Sequence, residues 1–285
     1  MKTILIPTDY SDAAKNASHY GVELAKFTKA KVILFHSYHI HVPATEVPIL
    51  VSYDDLEQES MNRLNAEKRL LDPTNELDIE CVALAGFAVD NIIEVEDSHK
   101  PDLIIMGMRG AGKFSEYLFG SITTALISKA VTPVIVVPEN AAFRLPKKIT
   151  FACDYNLTQT TAVLDPLKKF VKTFDSEVMI LNLLKEKEVM NTQKASIGII
   201  LENFMEDVTH NYYFEEDEDF IHGIVNFVEK HSTDLIAIVP HKHSFIQNLF
   251  KESHTKRLAF HSNIPLLTIP GKSKVIHRNT DLFMI

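Results

Sequence analysis

The 285-residue chain has no tryptophan, only two cysteines and only nine glycines. Cys81 and Cys153 lie in separate apolar segments without CxxC spacing. That excludes a disulfide-stapled scaffold and reads as buried, inert thiols in a reducing compartment. No apolar run approaches 18 residues, so no membrane span is expected. The opening MKTILIPTD reaches Asp9 after a short apolar segment, which reads as a strand and is too short for a signal-peptide core. A cytoplasmic location is the expectation. A positive charge excess is also missing, because 29 Lys and Arg face 38 Asp and Glu for a net charge of -9. Nonspecific binding to nucleic acid or to anionic membranes is therefore not expected. Most of the acidic excess lies in residues 1–145, with 13 basic and 20 acidic side chains. Phosphate in that half would need a local backbone site rather than a basic field.

What is present is an ordinary core-forming composition, 46% hydrophobic and 24% charged, in a chain long enough for two domains. The sequence also repeats itself. KTILIPTDYSDAAKNA at 2–17 has a counterpart in KKITFACDYNLTQTTA at 147–162, and VILFH at 32–36 in VMILN at 178–182. KPDLIIMG at 100–107 matches STDLIAIV at 232–239, and TPVIVVP at 132–138 matches IPLLTIP at 264–270. The offset drifts from 145 to 132 while the order holds. Two domains follow, 1–140 and 147–270, with a C-terminal tail at 271–285.

Each copy alternates short strands with longer helices. In the first, strands are expected near 2–7, 31–37, 78–83, 102–106 and 133–137, with helices near 12–29, 53–71, 87–99 and 120–130. In the second, strands are expected near 148–152, 177–182, 211–214, 234–239 and 265–269. The strands are β-branched runs with little alternation, as in a parallel sheet covered by helices on both faces. The fold class is α/β, two tandem open, doubly wound, five-stranded parallel-sheet domains. A ligand then belongs outside the carboxyl ends of the strands. Ser11 reads as the N-cap of the first helix. The connection at 38–52, with Pro43 and Pro48, is long enough to suggest a lid or contact surface.

The segment MGMRGAGKFSEYLFGSITT at 106–124 holds four of the nine glycines, Gly107, Gly110, Gly112 and Gly120. It follows the fourth strand, and Gly120-Ser121 opens a helix. Glycines permit close backbone approach, and the amides of Ser121, Ile122 and Thr123 at a helix start make a phosphate site without a lysine cluster. The hydroxyls of Ser121 and Thr123 are further candidate donors. Arg109 either closes over phosphate or lies in solvent. Gly107-x4-Gly112-Lys113 imitates a Walker A motif, but Phe114 stands where a magnesium-binding hydroxyl is required. A dinucleotide fingerprint is absent, because the first strand runs into Pro7-Thr8-Asp9.

Asp9 sits at the carboxyl end of the first strand, beside the fourth if the strand order reverses there. It reads in two ways. Its carboxylate accepts the ribose hydroxyls of a nucleotide whose base lies against Pro7 and Thr8, or it caps the first helix.

These motifs resemble the universal stress protein family, of UspA type, with the adenine nucleotide alpha-hydrolase-like fold. Gly107-x2-Gly110-x9-Gly120-Ser121 is similar to the family's ATP-binding motif, supported by ILIPTD at 4–9, PDLIIMG at 101–107 and TPVIVVP at 132–138. The resemblance is strong over 1–138 and fainter over 147–270. It implies ATP, with magnesium as a companion, as the ligand. Pro7, Thr8, Asp9 and Ser37 then flank the adenosine. Met106, Gly107, Arg109 and Gly110 form the loop over the phosphates, and Gly120, Ser121, Ile122 and Thr123 hold them. It also implies dimerisation through the last strand, which a tandem chain satisfies internally by pairing Val134–Val137 with Leu266–Ile269 as a pseudo-dimer, with a homodimer of chains as a further option.

The second copy departs from the motif. VPHKHSFIQNLFKESHT at 239–255 carries no glycine, so this copy is not expected to bind ATP in the same manner, although Asp154 is retained. His241, His243, His254 and His261 read as solvated loop residues, with zinc as the alternative. His36 reads as a core or crevice residue bonded to backbone. The acidic run 215–219 reads as a cap for the helix beginning at Phe220, with calcium disfavoured for want of an EF-hand framework. No nucleophile, base and orienting acid stand at recognisable spacing. Three functions follow in order: a nucleotide-dependent sensor or accessory protein with unknown protein partners, a weak magnesium-dependent ATP hydrolase or phosphotransfer enzyme, and a scaffold that binds no nucleotide.

Overall fold

The computed structural model describes residues 1–39, 53–108, 120–152, 161–184, 192–240 and 263–271. Several expectations fall outside these residues: the lid-length connection from 40 to 52, Arg109 and Gly110 with the loop to 119, Cys153, Asp154, the four loop histidines 241, 243, 254 and 261, and the tail beyond Gly271.

The first half runs β1 (Thr3–Pro7), α1 (Asp12–Thr28), β2 (Lys31–Tyr38), α2 (Tyr53–Leu71), β3 (Ile79–Ala85), α3 (Ala88–His99), β4 (Leu103–Gly107), α4 (Ser121–Lys129) and β5 (Val134–Val137). The second runs β6 (Lys148–Ala152), a short 3-10 turn (Thr161–Leu164), α5 (Asp165–Phe174), β7 (Glu177–Leu184), α6 (Thr192–Met205), β8 (His210–Glu216), α7 (Phe220–His231), β9 (Leu235–Ile238) and β10 (Leu266–Thr268). The ten strands form one continuous sheet in the order β3-β2-β1-β4-β5-β10-β9-β6-β7-β8. Every neighbouring pair is parallel except β5 with β10. There Leu266 faces Val136, Leu267 faces Ile135 and Thr268 faces Val134.

Burial on both faces explains the unalternating strands. Ile4, Leu5 and Ile6 are all fully buried, with Ile4 and Ile6 in one apolar layer and Leu5 in the other. The first layer holds α1, α2, α5 and α6, and the second holds α3, α4 and α7. Each layer crosses the β5–β10 seam. Phe27 of α1 stacks on Phe174 of α5 with ring centroids 5.5 Å apart, and Phe174 packs in turn against Phe170 at 4.7 Å.

The two halves use the same local devices. Asp102, just ahead of β4, accepts the backbone N–H groups of Lys2 and Thr3 through Oδ2 at 2.5 and 3.1 Å. Asp234, just ahead of β9, accepts those of Lys147 and Lys148 at 3.1 and 2.9 Å. Four helices stop on a left-handed non-glycine residue whose N–H returns to the last turn. These are Lys29 after α1 and Asp175 after α5, then Lys100 after α3 and Ser232 after α7. Such a residue satisfies an otherwise orphaned carbonyl. At the start of α7, Asp219 accepts from the N–H groups of Ile221 and His222, so the acidic run ends in the helix cap read from the sequence. Its earlier members Glu215 and Glu216 belong to β8, which is longer than expected.

Phe174 is 1% exposed and touches aromatic rings on two helices. Phe174→Ala is expected to lower stability by about 3–5 kcal/mol through lost transfer energy and the cavity left behind. Urea unfolding of the full chain measures this, and a loss under about 1 kcal/mol would show that the seam does not depend on this packing.

Candidate functional site

The chain winds outward from β1 through β2 to β3, then returns to place β4 on the other side of β1. Thr3 to Pro7 of β1 lie beside Lys31 to Phe35 of β2, and Ile4 and Leu5 lie beside Leu103 and Ile104 of β4. In an open α/β sheet such a reversal is where a ligand crevice is expected, here at the carboxyl ends of β1 and β4. Pro7, Thr8 and Asp9 end one of these strands and Gly107 ends the other.

Local bonding fixes the turn after β1. The Thr8 N–H donates to the Phe35 carbonyl at 2.8 Å, which carries the ladder with β2 one residue past the strand. Thr8 itself is buried, and its Oγ1 accepts the N–H of Tyr10 at 3.1 Å. Tyr10 has a φ of 64°, a left-handed conformation that costs a non-glycine residue about 1 kcal/mol or more. Asp9 is exposed, and its Oδ1 accepts both the N–H and the hydroxyl of Ser11, at 3.0 and 2.5 Å. Ser11 then caps α1 by accepting the Ala14 N–H at 3.2 Å. The cap of α1 is therefore Ser11, as the sequence suggested, and Asp9 orients the cap from outside the helix.

His36, on β2, donates Nδ1–H to the Thr8 carbonyl at 2.8 Å, with the tautomer assigned from that acceptor. Burial pushes the imidazole pKa down, and the carbonyl bond pulls it partly back. The ring lies 4.5 Å from that of Tyr10. Ser37 points to the other layer. Its hydroxyl donates to the Gly86 carbonyl at 3.0 Å and accepts from Asn91 Nδ2 at 2.9 Å. Asn91 also reaches the Leu84 carbonyl at 3.3 Å. Gly86 has a φ of +134°, a region open to glycine alone.

Gly107 closes the other wall for a packing reason. A Cβ on it would stand 2.9 Å from the carbonyl carbon and oxygen of Ala13 and 3.1 Å from the Ala14 nitrogen, so the first turn of α1 lies directly against this glycine. Met106 is 6% exposed and packs in the second apolar layer, so its side chain is a core residue. Met108 continues the ladder by donating N–H to the Val137 carbonyl at 2.9 Å, and its own carbonyl accepts the Gly120 N–H at 2.9 Å. Gly120, with φ −64° and ψ 157°, is the N-cap of α4 and supplies no side-chain acceptor. The first-turn amides of Ser121, Ile122 and Thr123 thus begin a helix whose N-cap residue has no side chain to accept from them. Ser121 and Ile122 are exposed. Thr123 is buried, and its hydroxyl donates to the Gly107 carbonyl at 3.2 Å. That hydroxyl ties α4 to β4 and is spent inside the fold.

Sequence reading missed the contribution of α2. Glu67 is 8% exposed, with both carboxylate oxygens 3.4 Å from the Thr8 hydroxyl. Burial raises its pKa above the usual carboxylate range, while Ser18, Thr8 and Lys15 draw it partly back. One turn earlier, the Arg63 guanidinium carbon lies 4.2 Å from the centroid of the Tyr10 ring. Burial pushes the Tyr10 hydroxyl up to about 12. Cys81, on β3, is half-buried instead of fully buried, and burial raises its thiol pKa as well. Among the described residues, no group of three or more His, Cys, Asp or Glu is placed to hold a metal ion.

Two stability predictions follow from these contacts. Gly107→Ala is expected to destabilise by about 1–3 kcal/mol, as overpacking does in a filled core, and a melting midpoint equal to wild type would contradict the tight approach of α1. For Glu67 the raised pKa means that the fold favours the protonated acid. Its ionisation penalty grows as pH rises from the unfolded carboxyl value, about 4.3, through the higher folded value, and is constant beyond. Glu67→Gln is therefore expected to stabilise the protein more at pH 7 than at pH 4. Thermal melts at both pH values measure the difference, and an equal effect at the two would contradict it.

Comparison with known proteins agrees with this geometry. The family model described as the universal stress protein family matches residues 1–138. The chain is similar to the universal stress protein MJ0531 of Methanocaldococcus jannaschii, 31% identical over 140 residues that span 48% of this chain and 81% of that protein. It is likewise similar to the universal stress protein Sll1654 of Synechocystis, 29% identical over 143 residues that span 48% of this chain and 85% of that one. A solved universal stress protein from Archaeoglobus fulgidus shares the fold, with a TM-score of 0.71 at 18% identity, covering 94% of this chain and 98% of that one. Among the described residues, no helix is long and apolar enough to cross a membrane. The motif residues, the β1–β4 crevice and the match over its first half converge, and the chain belongs to the universal stress protein family.

Proposed function

We propose that residues 1–138 bind one adenine nucleotide, ATP accompanied by magnesium, at the carboxyl ends of β1 and β4, and that the protein acts as a nucleotide-dependent sensor or accessory module in a stress response. The observation that carries this reading is the start of α4 at the end of β4, with a glycine as its N-cap residue. Gly120 offers no acceptor to the first-turn amides, and the Gly120–Met108 bond holds that turn at the end of β4. Such amides and the positive end of a helix favour an anion. Asp9, exposed and oriented by two donors from Ser11, is the acceptor for the ribose. Pro7, Thr8 and Ser37 give the adenosine its floor. Arg109 and Gly110 belong to the phosphate loop in this assignment. Magnesium, in this reading, would accompany ATP and supply counter-charge to its phosphates.

The same proposal assigns the second half to a degenerate copy of the first, with no nucleotide of its own. Its support is the repeated use of Asp102 and Asp234 and the matching helix stops, along with the glycine-free sequence of 239–255. The antiparallel β5–β10 ladder then stands in for the edge that a single copy would leave open, as an intramolecular pseudo-dimer.

Calorimetry of the full chain with ATP and magnesium is expected to give one nucleotide per chain. Asp9→Ala is expected to weaken binding about tenfold, equivalent to losing one charge-assisted hydrogen bond. A stoichiometry of two, or unchanged affinity in Asp9→Ala, would overturn the assignment. Steady turnover during the titration would identify a slow hydrolase instead of a sensor, and absence of binding would leave a scaffold.

A further inference from the structure

The turn that carries Asp9 is gripped from α2, an element to which the family resemblance assigned no role. Thr8 has one hydroxyl proton. Its Oγ1 already accepts the Tyr10 N–H at 3.1 Å, so the proton is left to donate, and the Glu67 carboxylate is the acceptor facing it, 3.4 Å away through either oxygen. The chain of donors runs from the Tyr10 amide to the Thr8 hydroxyl to Glu67. Tyr10 is held with φ at 64°, a strained state that persists only when its surroundings over-determine it. Four residues before Glu67 on the same helix face, Arg63 covers the Tyr10 ring, as residues at i and i+4 share one face. A carboxylate buried to 8% exposure is costly in a helix that has polar solvent on its other side.

We propose that Glu67 is a positioning residue, which holds the Thr8–Tyr10 turn through the Thr8 hydroxyl and so sets where Asp9 stands in the crevice. Glu67 lies in the layer of α1 and α2 and acts on the site from behind β1 by way of Thr8. The consequence for nucleotide affinity rests on the site proposed above, whereas the consequence for the turn itself does not.

The test separates the two. Hydrogen exchange at the amides of Tyr10 and Ser11 is measured in the full-length protein without nucleotide, for wild type, Glu67→Gln and Glu67→Leu. Glutamine keeps an acceptor for the hydroxyl and leucine keeps only the volume. Exchange at these amides is expected to rise about tenfold in Glu67→Leu, the loss of one hydrogen bond, and to stay within about threefold of wild type in Glu67→Gln. Amides in the middle of β4 report any change in global stability, and the exchange at Tyr10 and Ser11 is compared relative to theirs. If Glu67→Leu does not fold, Glu67→Met removes the carboxylate while leaving the Thr8 hydroxyl as the acceptor of the Tyr10 N–H, and is expected to raise exchange at Tyr10 alike. Wild-type exchange at Tyr10 and Ser11 in Glu67→Leu or Glu67→Met overturns the positioning role, as does equal acceleration in the glutamine and leucine variants. ATP titration of the same proteins adds the coupling, with affinity following the order wild type, Glu67→Gln, Glu67→Leu. If the wild type binds no ATP, the nucleotide reading fails and the exchange result still decides the role of Glu67. If Asp9→Ala loses affinity while Glu67→Leu does not, the site stands and the positioning role falls.

Discussion

The pairing of β1 with β4 is the constraint on which the rest of the first half depends. Both strands are buried on both faces, so neither can move without exposing apolar surface to water. Because the winding reverses between them, the elements that follow them leave in opposite directions along the sheet. Their carboxyl ends are therefore the switch point of the sheet, where an open α/β fold places a ligand. Pro7 to Tyr10 and Gly107 are brought to its two sides by the strand ladder alone, and α1 presses against Gly107 closely enough to exclude a Cβ. The placement of these residues is thus a product of topology.

The antiparallel contact of β5 with β10 extends that rigidity to the whole chain. An isolated first half would end in Val134–Val137, an apolar edge with unpaired backbone groups and a hazard for association. Pairing with Leu266–Thr268 closes this edge, and Phe27 and Phe174 extend the junction into the helix layer. The remaining edges are β3 and β8. Both are less buried than the central strands and carry acidic residues, Glu80 in β3 and Glu215 and Glu216 in β8. Charge on an outer strand discourages further strand addition. It also accounts for part of the acidic balance without reference to any ligand.

Much of this was legible in the sequence, for physical reasons that differ by element. The ends of α2 at 53 and 71 coincide with expectation because a long amphipathic stretch is bounded by a proline-containing segment before it and by Asp72-Pro73 after it. The strands of both halves were recoverable because burial on two faces leaves nearly uninterrupted apolar runs. β8 reached further than its apolar centre, since an edge strand tolerates polar residues such as Glu215 and Glu216. Side-chain direction was less legible. Met106 and Thr123 belong to the glycine motif by position, yet one packs in the core and the other is bonded to Gly107, because strand pleat and helix phase decide where they point. Glu67 left a faint trace. It interrupts a stripe of Ser60, Leu64 and Leu71 that otherwise reads as the buried face of α2, and an acid on such a face needs a partner from another element. Which partner it has depends on tertiary contact over 59 residues, and no local pattern carries that information.

Gly107 carries a packing requirement at a position that the proposed site also uses. Its lack of a side chain is demanded by Ala13 and Ala14, while its place in the motif ties it to the crevice. Loss of function on its substitution would therefore not by itself identify a ligand contact. The electrostatics point in a consistent direction. The first half is the more acidic one, so the anion proposed near β4 would be held by local dipoles, such as the first-turn amides of α4. A buried carboxyl at Glu67 would oppose that anion if fully charged. Burial raises its pKa and so lowers the cost of protonation, and the group can still accept the Thr8 hydroxyl through a carbonyl oxygen when neutral. An acid in this position can brace the turn in either protonation state, whereas a lysine could not accept the proton at all. The residue type at position 67 is thus constrained by hydrogen-bond polarity more than by charge.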